Sequence, residues 1–175
     1  MNHDIRLLIL DVDGVLTDGK IWYSDDGQEH KAFHTQDGLG LKRLREMGVE
    51  IAVISGRKSK CVEQRMRELG ITHVFQGISD KLTVMNTLLS HLKITPNTVA
   101  SIGDDLPDIP VMKNSLWAIA VDNAVPDVKA IADYCTKRSG GEGAVREACD
   151  WIYAQLGRRN DTTTARETTN DGIST

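Results

Sequence analysis

Short apolar runs alternate with amphipathic stretches along most of this 175-residue chain, and that alternation constrains its fold more than any other feature. The apolar runs have the length of buried strands and fall far short of a membrane span. The stretches between them have helical spacing, and Gly48 and Gly70 follow two of them, where helices commonly end. The alternation of strands and helices predicts an α/β fold with a doubly wound parallel sheet and right-handed crossovers. The predicted strands are 5–10, 51–54, 98–102 and 117–121, with a shorter one at 73–75, and the predicted helices are 39–47, 60–69, 81–92, 109–113 and 127–132.

One segment, residues 19–34, departs from this alternation. Two short runs flank an Asp-Asp-Gly sequence at 25–27, and Asp-Gly between such runs predicts a β-hairpin, here projecting from the rim of the sheet. No insertion is long enough to form a cap domain, so residues 1–156 are predicted to form one domain. Residues 157–175 are polar and nearly free of hydrophobic side chains, and we expect them to form a flexible tail.

The composition argues against several classes of protein. The net charge is −4, and the sequence lacks the stripe of basic and aromatic residues that is typical of nucleic-acid binding. It also lacks a signal-peptide pattern and an apolar run of membrane length. The 3 cysteines are widely spaced and fit neither a disulfide framework nor a zinc site, which favours a reducing compartment. We therefore expect a cytoplasmic protein that binds neither nucleic acid nor membrane.

Two aspartates separated by one residue, Asp11 and Asp13, follow the first predicted strand directly, and Gly14 comes next. Ionised acids at a buried strand end repel each other and lose hydration, which costs several kcal/mol unless a cation compensates. A divalent metal is the obvious partner, and oxygen-only ligands of this kind suit Mg²⁺. The sequence therefore predicts Mg²⁺ as the cofactor.

A second acidic group follows the predicted strand at 98–102 and consists of Asp104, Asp105 and Asp108. The carboxyl ends of parallel strands meet at one edge of a sheet, so Asp104 can face Asp11 across a single metal ion. Taken alone, Asp105 and Asp108 are also typical of helix caps, just as Asp-x-Asp-Gly is typical of a turn.

Donors that suit a phosphate group occur at two further places. Ser55, Gly56 and Arg57 follow the predicted strand at 51–54 and offer a hydroxyl, backbone N–H groups and a guanidinium. Lys81 lies at the start of a predicted helix, near its positive end. A tetrahedral phosphate dianion requires donors of this type.

Together these groups suffice for phosphoryl transfer. Asp11 would attack phosphorus in line while Mg²⁺ and Lys81 neutralise the phosphoryl oxygens. Asp13 would protonate the departing alkoxide and then take a proton from the water that hydrolyses the aspartyl-phosphate.

In this order, DVDGVLTD, ISGR, Lys81 and GDDLPD resemble the four signature motifs of the haloacid dehalogenase superfamily of phosphatases. The resemblance covers residues 5–156 and implies a Rossmann-like haloacid dehalogenase fold and a phosphoric monoester hydrolase activity. The resemblance implies that Asp11 is the nucleophile and Asp13 the general acid and base. It implies that Mg²⁺ is held by Asp11, Asp104 and the Asp13 backbone carbonyl. The residues implied to bind the phosphate are Ser55, Gly56 and Lys81, and those implied to support Lys81 or the metal are Asp105 and Asp108.

The hairpin and the segments AFHTQDGLGLKRL, SGRKSKCVEQR, LGITHVFQG and GGEGAVRE further resemble a capless group in that superfamily. This group hydrolyses 3-deoxy-D-manno-octulosonate 8-phosphate in lipopolysaccharide synthesis. The resemblance implies a sugar-acid phosphate as substrate, and a homotetramer in which hairpins and C-terminal tails of neighbours help close the site. By the same analogy, Asp18, Asp37 and Arg57 lie on the substrate side.

Two other functions are compatible with these patterns. One is a related capless phosphatase that acts on another nonulosonate, such as a sialic-acid-type 9-phosphate. The other is a signalling receiver domain, which is also doubly wound and has an acidic Mg²⁺ pocket. Asp13 argues against the receiver, because a long-lived phosphoaspartate needs no acid or base two residues beyond its acceptor.

Overall fold

The computed structural model describes residues 4–167, with side chains over residues 4–156. The strands are β1 (Leu7–Leu10), β2 (Trp22–Tyr23), β3 (Glu29–His30), β4 (Glu50–Ser55), β5 (His73–Gln76), β6 (Val99–Gly103), β7 (Trp117–Ala120) and β8 (Tyr134–Cys135). The helices are α1 (Thr35–Glu46), α2 (Lys60–Leu69), α3 (Lys81–Leu92), α4 (Ile109–Lys113), α5 (Pro126–Lys129) and α6 (Ala144–Glu167), with 3₁₀ turns at Pro96–Thr98 and Leu106–Asp108. Within residues 4–167, no helix is long and apolar enough to cross a membrane.

A parallel sheet of six strands forms the centre of the molecule, in the order β5-β4-β1-β6-β7-β8. The chain moves outward from β1 through β4 to β5, then returns to β6 on the other side of β1 and continues to β8. Open α/β sheets bind ligands at such a reversal of strand order, outside the carboxyl ends of the strands. The predicted doubly wound α/β fold is confirmed, and its topology places a crevice beside the end of β1.

The core lies on both faces of the sheet, which explains why the strands are apolar without alternation. In β1, Leu8 and Leu10 belong to the hydrophobic cluster on the side of α1 and α6, whereas Leu7 and Ile9 belong to the cluster on the side of α3. All four side chains are almost fully buried. The central strand is thereby held from both sides, which fixes the position of the loop that follows it.

Several elements differ from the sequence prediction, among them helix α6, which was not predicted. Helix α1 begins at Thr35, four residues before the predicted start at residue 39, because the Nδ1 atom of His34 accepts the N–H of Gln36 (3.3 Å) and caps the helix. The edge strand β8 was not predicted, because it pairs over two residues and gives too short an apolar run to recognise.

The predicted hairpin is present as β2 and β3, which pair antiparallel with Trp22 opposite His30 and Tyr23 opposite Glu29. Its turn contains Gly27, whose φ of 79° lies in the left-handed region that favours glycine. At the other end of the chain, α6 runs to Glu167 and so includes the backbone of residues 157–167. Residues 168–175 lie outside the described residues, and both the domain division at residue 156 and the flexible tail at 157–175 stay predictions.

Candidate active site

The loop after β1 carries Asp11 and Asp13 and turns back sharply. The carbonyl of Val12 accepts backbone N–H groups from the three residues at 15–17 (2.9–3.2 Å), which folds the loop over the end of the strand. Gly14 has a φ of 96°, and a β-carbon at this position would collide with the carboxylate of Asp104. Glycine is therefore required here for two reasons, the backbone conformation and the close approach of Asp104.

Asp108 organises the loop after β6. Its Oδ2 atom accepts the backbone N–H groups of Asp104 (3.0 Å) and Asp105 (3.3 Å). The Asp105 side chain in turn accepts the N–H of Leu106 (2.8 Å), so the two side chains form a capping box around the 3₁₀ turn. These bonds hold the Asp104 carboxylate toward the loop after β1.

Lys81 is the first residue of α3, and its side chain is only 6% exposed. Its Nζ atom lies 2.8 Å from Oδ1 of Asp11 and 2.7 Å from Oδ1 of Asp108. Burial lowers the pKa of Lys81, but the two carboxylates raise it by more, so the pKa lies above its ordinary value. Lys81 is therefore a fixed positive charge that links the ends of β1 and β6.

Asp11, Asp104 and Asp108 each offer a carboxylate oxygen, and these atoms lie within 4.8 Å of one another. Burial, and then the neighbouring charges of Asp11 and Asp108, raise the pKa of Asp104 to about 7. Burial and Asp108 likewise raise the pKa of Asp11 to about 6, although Lys81 opposes this shift. The cluster thus holds more negative charge than Lys81 balances.

This donor set fits a Mg²⁺ ion. The Oδ1 atom of Asp104 is buried and has no hydrogen-bond partner within the described residues. Both oxygens of Asp108 are occupied, by Lys81 and by backbone N–H groups. Asp11 and Asp104 are therefore the side chains with oxygen atoms left for a cation, and oxygen ligands with few carboxylates are typical of Mg²⁺.

The structure brings all but two of the predicted site residues into one cleft of about 500 Å³ at the carboxyl ends of the strands. Ser55 is buried at the end of β4, where its Oγ atom accepts the N–H of Arg57 (3.4 Å). The predicted residues that line the cleft are Asp11, Asp13, Ser55, Gly56, Arg57, Lys81, Asp104, Asp105 and Asp108.

The other two predicted residues, Asp18 and Asp37, do not line this cleft. Asp18 is exposed and pairs with Lys20 (3.0 Å), whose backbone N–H and ammonium lower the pKa of Asp18. Asp37 is buried in α1, and its Oδ1 atom accepts the N–H of Arg146 in the first turn of α6 (2.7 Å). Burial raises the pKa of Asp37 despite this bond. Their assignment to the substrate side stays a prediction.

Sequence reasoning missed two hairpin residues that contact the site. The ammonium group of Lys31 pairs with the carboxylate of Asp13, and its side chain is only 1% exposed. The carboxylate of Glu29 accepts a hydrogen bond from Arg57 (2.9 Å). The available signal was their alternate spacing, since Glu29 and Lys31 stand two residues apart and so share one face of an extended segment.

The chain is similar to known proteins over most of its length. Residues 72–147 match the family model of haloacid dehalogenase-like hydrolases. The chain is 48% identical over 159 residues to the 3-deoxy-D-manno-octulosonate 8-phosphate phosphatase of Escherichia coli K12, covering 91% of this chain and 85% of that protein.

Two solved structures are similar over nearly the whole fold. The Yersinia pestis 3-deoxy-D-manno-octulosonate 8-phosphate phosphatase has a TM-score of 0.86 and 46% identity, and the match covers 89% of this chain and 84% of that one. The Moraxella catarrhalis phosphatase, in complex with a magnesium ion, a phosphate ion and a KDO molecule, has a TM-score of 0.86 and 43% identity, with 92% of each chain covered.

Proposed function

Because this chain belongs to the haloacid dehalogenase-like hydrolases, in the family of the 3-deoxy-D-manno-octulosonate 8-phosphate phosphatases, we propose that it hydrolyses that sugar phosphate to the free sugar acid and inorganic phosphate. The observation that carries the proposal is the environment of Asp11. Its carboxylate stands in the cleft, held by Lys81 on one oxygen and facing Asp104, whose buried oxygen lacks a partner. A carboxylate that attacks a phosphate dianion needs both a fixed orientation and a nearby cation that offsets the repulsion between the two anions.

Asp11 and Asp13 carry out the bond changes. The carboxylate of Asp11 attacks phosphorus, the bond between phosphorus and the sugar oxygen breaks, and Asp13 gives a proton to that oxygen as it leaves. Water then attacks the phosphorus of the aspartyl-phosphate and gives a proton to Asp13. The bond between phosphorus and Asp11 breaks, which releases inorganic phosphate and restores both carboxyl groups.

Lys81, Ser55 and the backbone at Gly56 bind the phosphoryl oxygens that do not react. Lys81 suits this role because the carboxylates around it keep it charged. Asp108 orients Lys81 through the 2.7 Å contact and holds the loop of Asp104 through its other oxygen. Mg²⁺ held by Asp11, Asp104 and the Asp13 backbone carbonyl supplies positive charge opposite the phosphoryl oxygens.

Phosphate release with and without Mg²⁺ tests this function. The substrates are 3-deoxy-D-manno-octulosonate 8-phosphate, a sialic-acid 9-phosphate and p-nitrophenyl phosphate. We expect Mg²⁺-dependent turnover with a clear preference for the octulosonate, and comparable turnover of the sialic-acid phosphate would contradict the substrate assignment. A phosphorylated Asp11 that persists without turnover would indicate a receiver domain instead.

The Asp11→Asn variant tests the nucleophile. We expect it to lose at least about three orders of magnitude in kcat, because an amide cannot form the acyl-phosphate, while its melting temperature in chelator is not lowered. Asp127→Asn is the matched control, since Asp127 is exposed in α5 and does not line the cleft. Retention of most of the Mg²⁺-dependent activity by Asp11→Asn would refute the assignment.

We also infer a homotetramer in the cytoplasm. Trp22 and Tyr23 on the hairpin are 60% and 61% exposed, and adjacent exposed aromatic side chains are typical of an interface. The cysteines are free, which supports a reducing compartment. Light scattering should give a tetramer for the unaltered chain and a smaller species for Trp22→Ser. A monomeric unaltered chain would contradict the assembly, and recovery outside the cytoplasm on cell fractionation would contradict the location.

A further inference from the structure

Four charged side chains form a closed ring at the mouth of the cleft, and two of them come from the hairpin. Lys31 contacts Asp13, Asp13 lies 3.9 Å from the Nε atom of Arg57, Arg57 bonds Glu29 at 2.9 Å, and Glu29 lies 3.8 Å from Lys31. Positive and negative groups alternate around this ring, so each carboxylate stands between two cations. The ring joins β3 to the loops after β1 and β4 within a single chain.

Arg57 is the exposed member of the ring, with 43% of its side chain open to solvent. Its Nη2 atom donates to Oε2 of Glu29 (2.9 Å) and to the hydroxyl of Tyr23 (3.3 Å). A half-exposed arginine without such partners would sample many rotamers and would lose that freedom on binding a ligand. The hairpin therefore fixes the guanidinium before a substrate arrives.

Glu29 is a stabilised negative charge with a partner near each carboxylate oxygen. Its pKa lies below its ordinary value, because Ser59, Arg57 and Lys31 favour the ionised form over the opposing effect of burial. Its Oε1 atom faces Lys31 at 3.8 Å, and its Oε2 atom binds Arg57 at 2.9 Å. Glu29 therefore presents a fixed charge to the guanidinium of Arg57.

We propose that Glu29 is a positioning residue of the active site, which holds the guanidinium of Arg57 where it binds the sugar-acid end of the substrate. The hairpin thereby contributes to substrate affinity at the site of its own chain. This inference rests on the proposed function. Glu29 itself contacts neither the substrate nor the reacting atoms, so its effect passes through Arg57.

The test compares Glu29→Gln with the unaltered protein on two substrates in saturating Mg²⁺. In Glu29→Gln, we expect KM for 3-deoxy-D-manno-octulosonate 8-phosphate to rise about tenfold and kcat to change less than about twofold. The reason is that the substitution weakens substrate binding and leaves the chemical step unaffected. Hydrolysis of p-nitrophenyl phosphate, which has no sugar acid, should keep both constants within about twofold. Glu29→Asp, which keeps the charge, should recover part of the affinity. Glu50→Gln is the control, because Glu50 is exposed at the opposite end of the sheet.

A double-mutant cycle with Arg57→Gln separates an effect through Arg57 from an independent one. If Glu29 acts through Arg57, the double variant should have the same KM as Arg57→Gln alone. Additive losses, an unchanged KM in Glu29→Gln, or equal losses on both substrates would each overturn the proposal. Failure of the unaltered protein to hydrolyse the octulosonate while it hydrolyses p-nitrophenyl phosphate would instead refute the proposed substrate, and this inference with it.

Discussion

Replacing Lys81 by methionine should lower the stability of the folded chain at pH 8 and lower it less at pH 5. Methionine keeps most of the volume of the lysine side chain, so the packing at the start of α3 changes little. The positive charge is lost from a side chain that is 6% exposed and lies 2.8 Å from Asp11 and 2.7 Å from Asp108. Two buried carboxylates then lose the cation that faces them, while Asp104 stands next to both.

The expected loss of stability follows from this burial. Removing one partner of a buried ion pair costs about 3–5 kcal/mol, because the remaining charge stays out of water without compensation. In a protein of this size, each kcal/mol corresponds to about 2–4 °C in melting temperature, so Lys81→Met should melt about 6–20 °C lower at pH 8. At pH 5 the loss should shrink, because Asp11 and Asp104, with pKa values already raised to about 6 and about 7, take up protons.

Thermal unfolding in chelator at pH 5 and pH 8 measures both effects. Lys60→Met is the matched control: Lys60 also begins a helix but is exposed, so its replacement should cost less than about 0.5 kcal/mol. A loss of less than about 1 kcal/mol for Lys81→Met at pH 8, or an equal loss at both pH values, would refute the view that Lys81 neutralises buried carboxylates.

Two further predictions concern the carboxylates. The pKa values of Asp11 and Asp104 lie above their ordinary value of 3.8, so the metal-free folded chain binds more protons than the unfolded chain between about pH 4 and pH 7. The stability of the metal-free chain should therefore fall by about 1–2 kcal/mol from pH 6 to pH 8. Mg²⁺ should raise the melting temperature more at pH 8 than at pH 6, and a larger effect of Mg²⁺ at pH 6 would contradict this. Asp37→Ala should lower the free energy of unfolding by about 1–2 kcal/mol in chemical denaturation, because the N–H of Arg146 loses its acceptor. Its KM should stay unchanged, whereas a raised KM at unchanged stability would support the substrate-side assignment of Asp37.

The residues that line the cleft could be predicted from the sequence because they follow the ends of strands. Asp11, Ser55 and Asp104 each come directly after a run that is apolar enough to identify as a buried strand, and parallel strands bring their carboxyl ends to one edge. Asp37 shows the limit of this reasoning. It belongs to a helix that begins earlier than its apolar spacing indicates, and it bonds a residue 109 positions away. No local pattern predicts which way a side chain faces in such a contact.

The hairpin shows the same limit at the site itself. The turn of the hairpin could be predicted from the Asp-Gly sequence. The pairing of Lys31 with Asp13, 18 residues earlier, could not, because it depends on how the hairpin lies against the sheet. That pairing changes the electrostatics of the cleft. On the hairpin side, two cations face two carboxylates and the charges balance.

On the sheet side of the cleft, Asp11, Asp104 and Asp108 face Lys81, so negative charge is in excess. A phosphate dianion would be repelled from this side unless a cation were bound there, whereas the sugar-acid end meets the balanced side, where Arg57 is already fixed by Glu29. The two ends of the substrate therefore depend on different groups. Binding of the phosphate should require Mg²⁺, and the factor by which Glu29→Gln raises KM should be the same at every Mg²⁺ concentration that allows turnover.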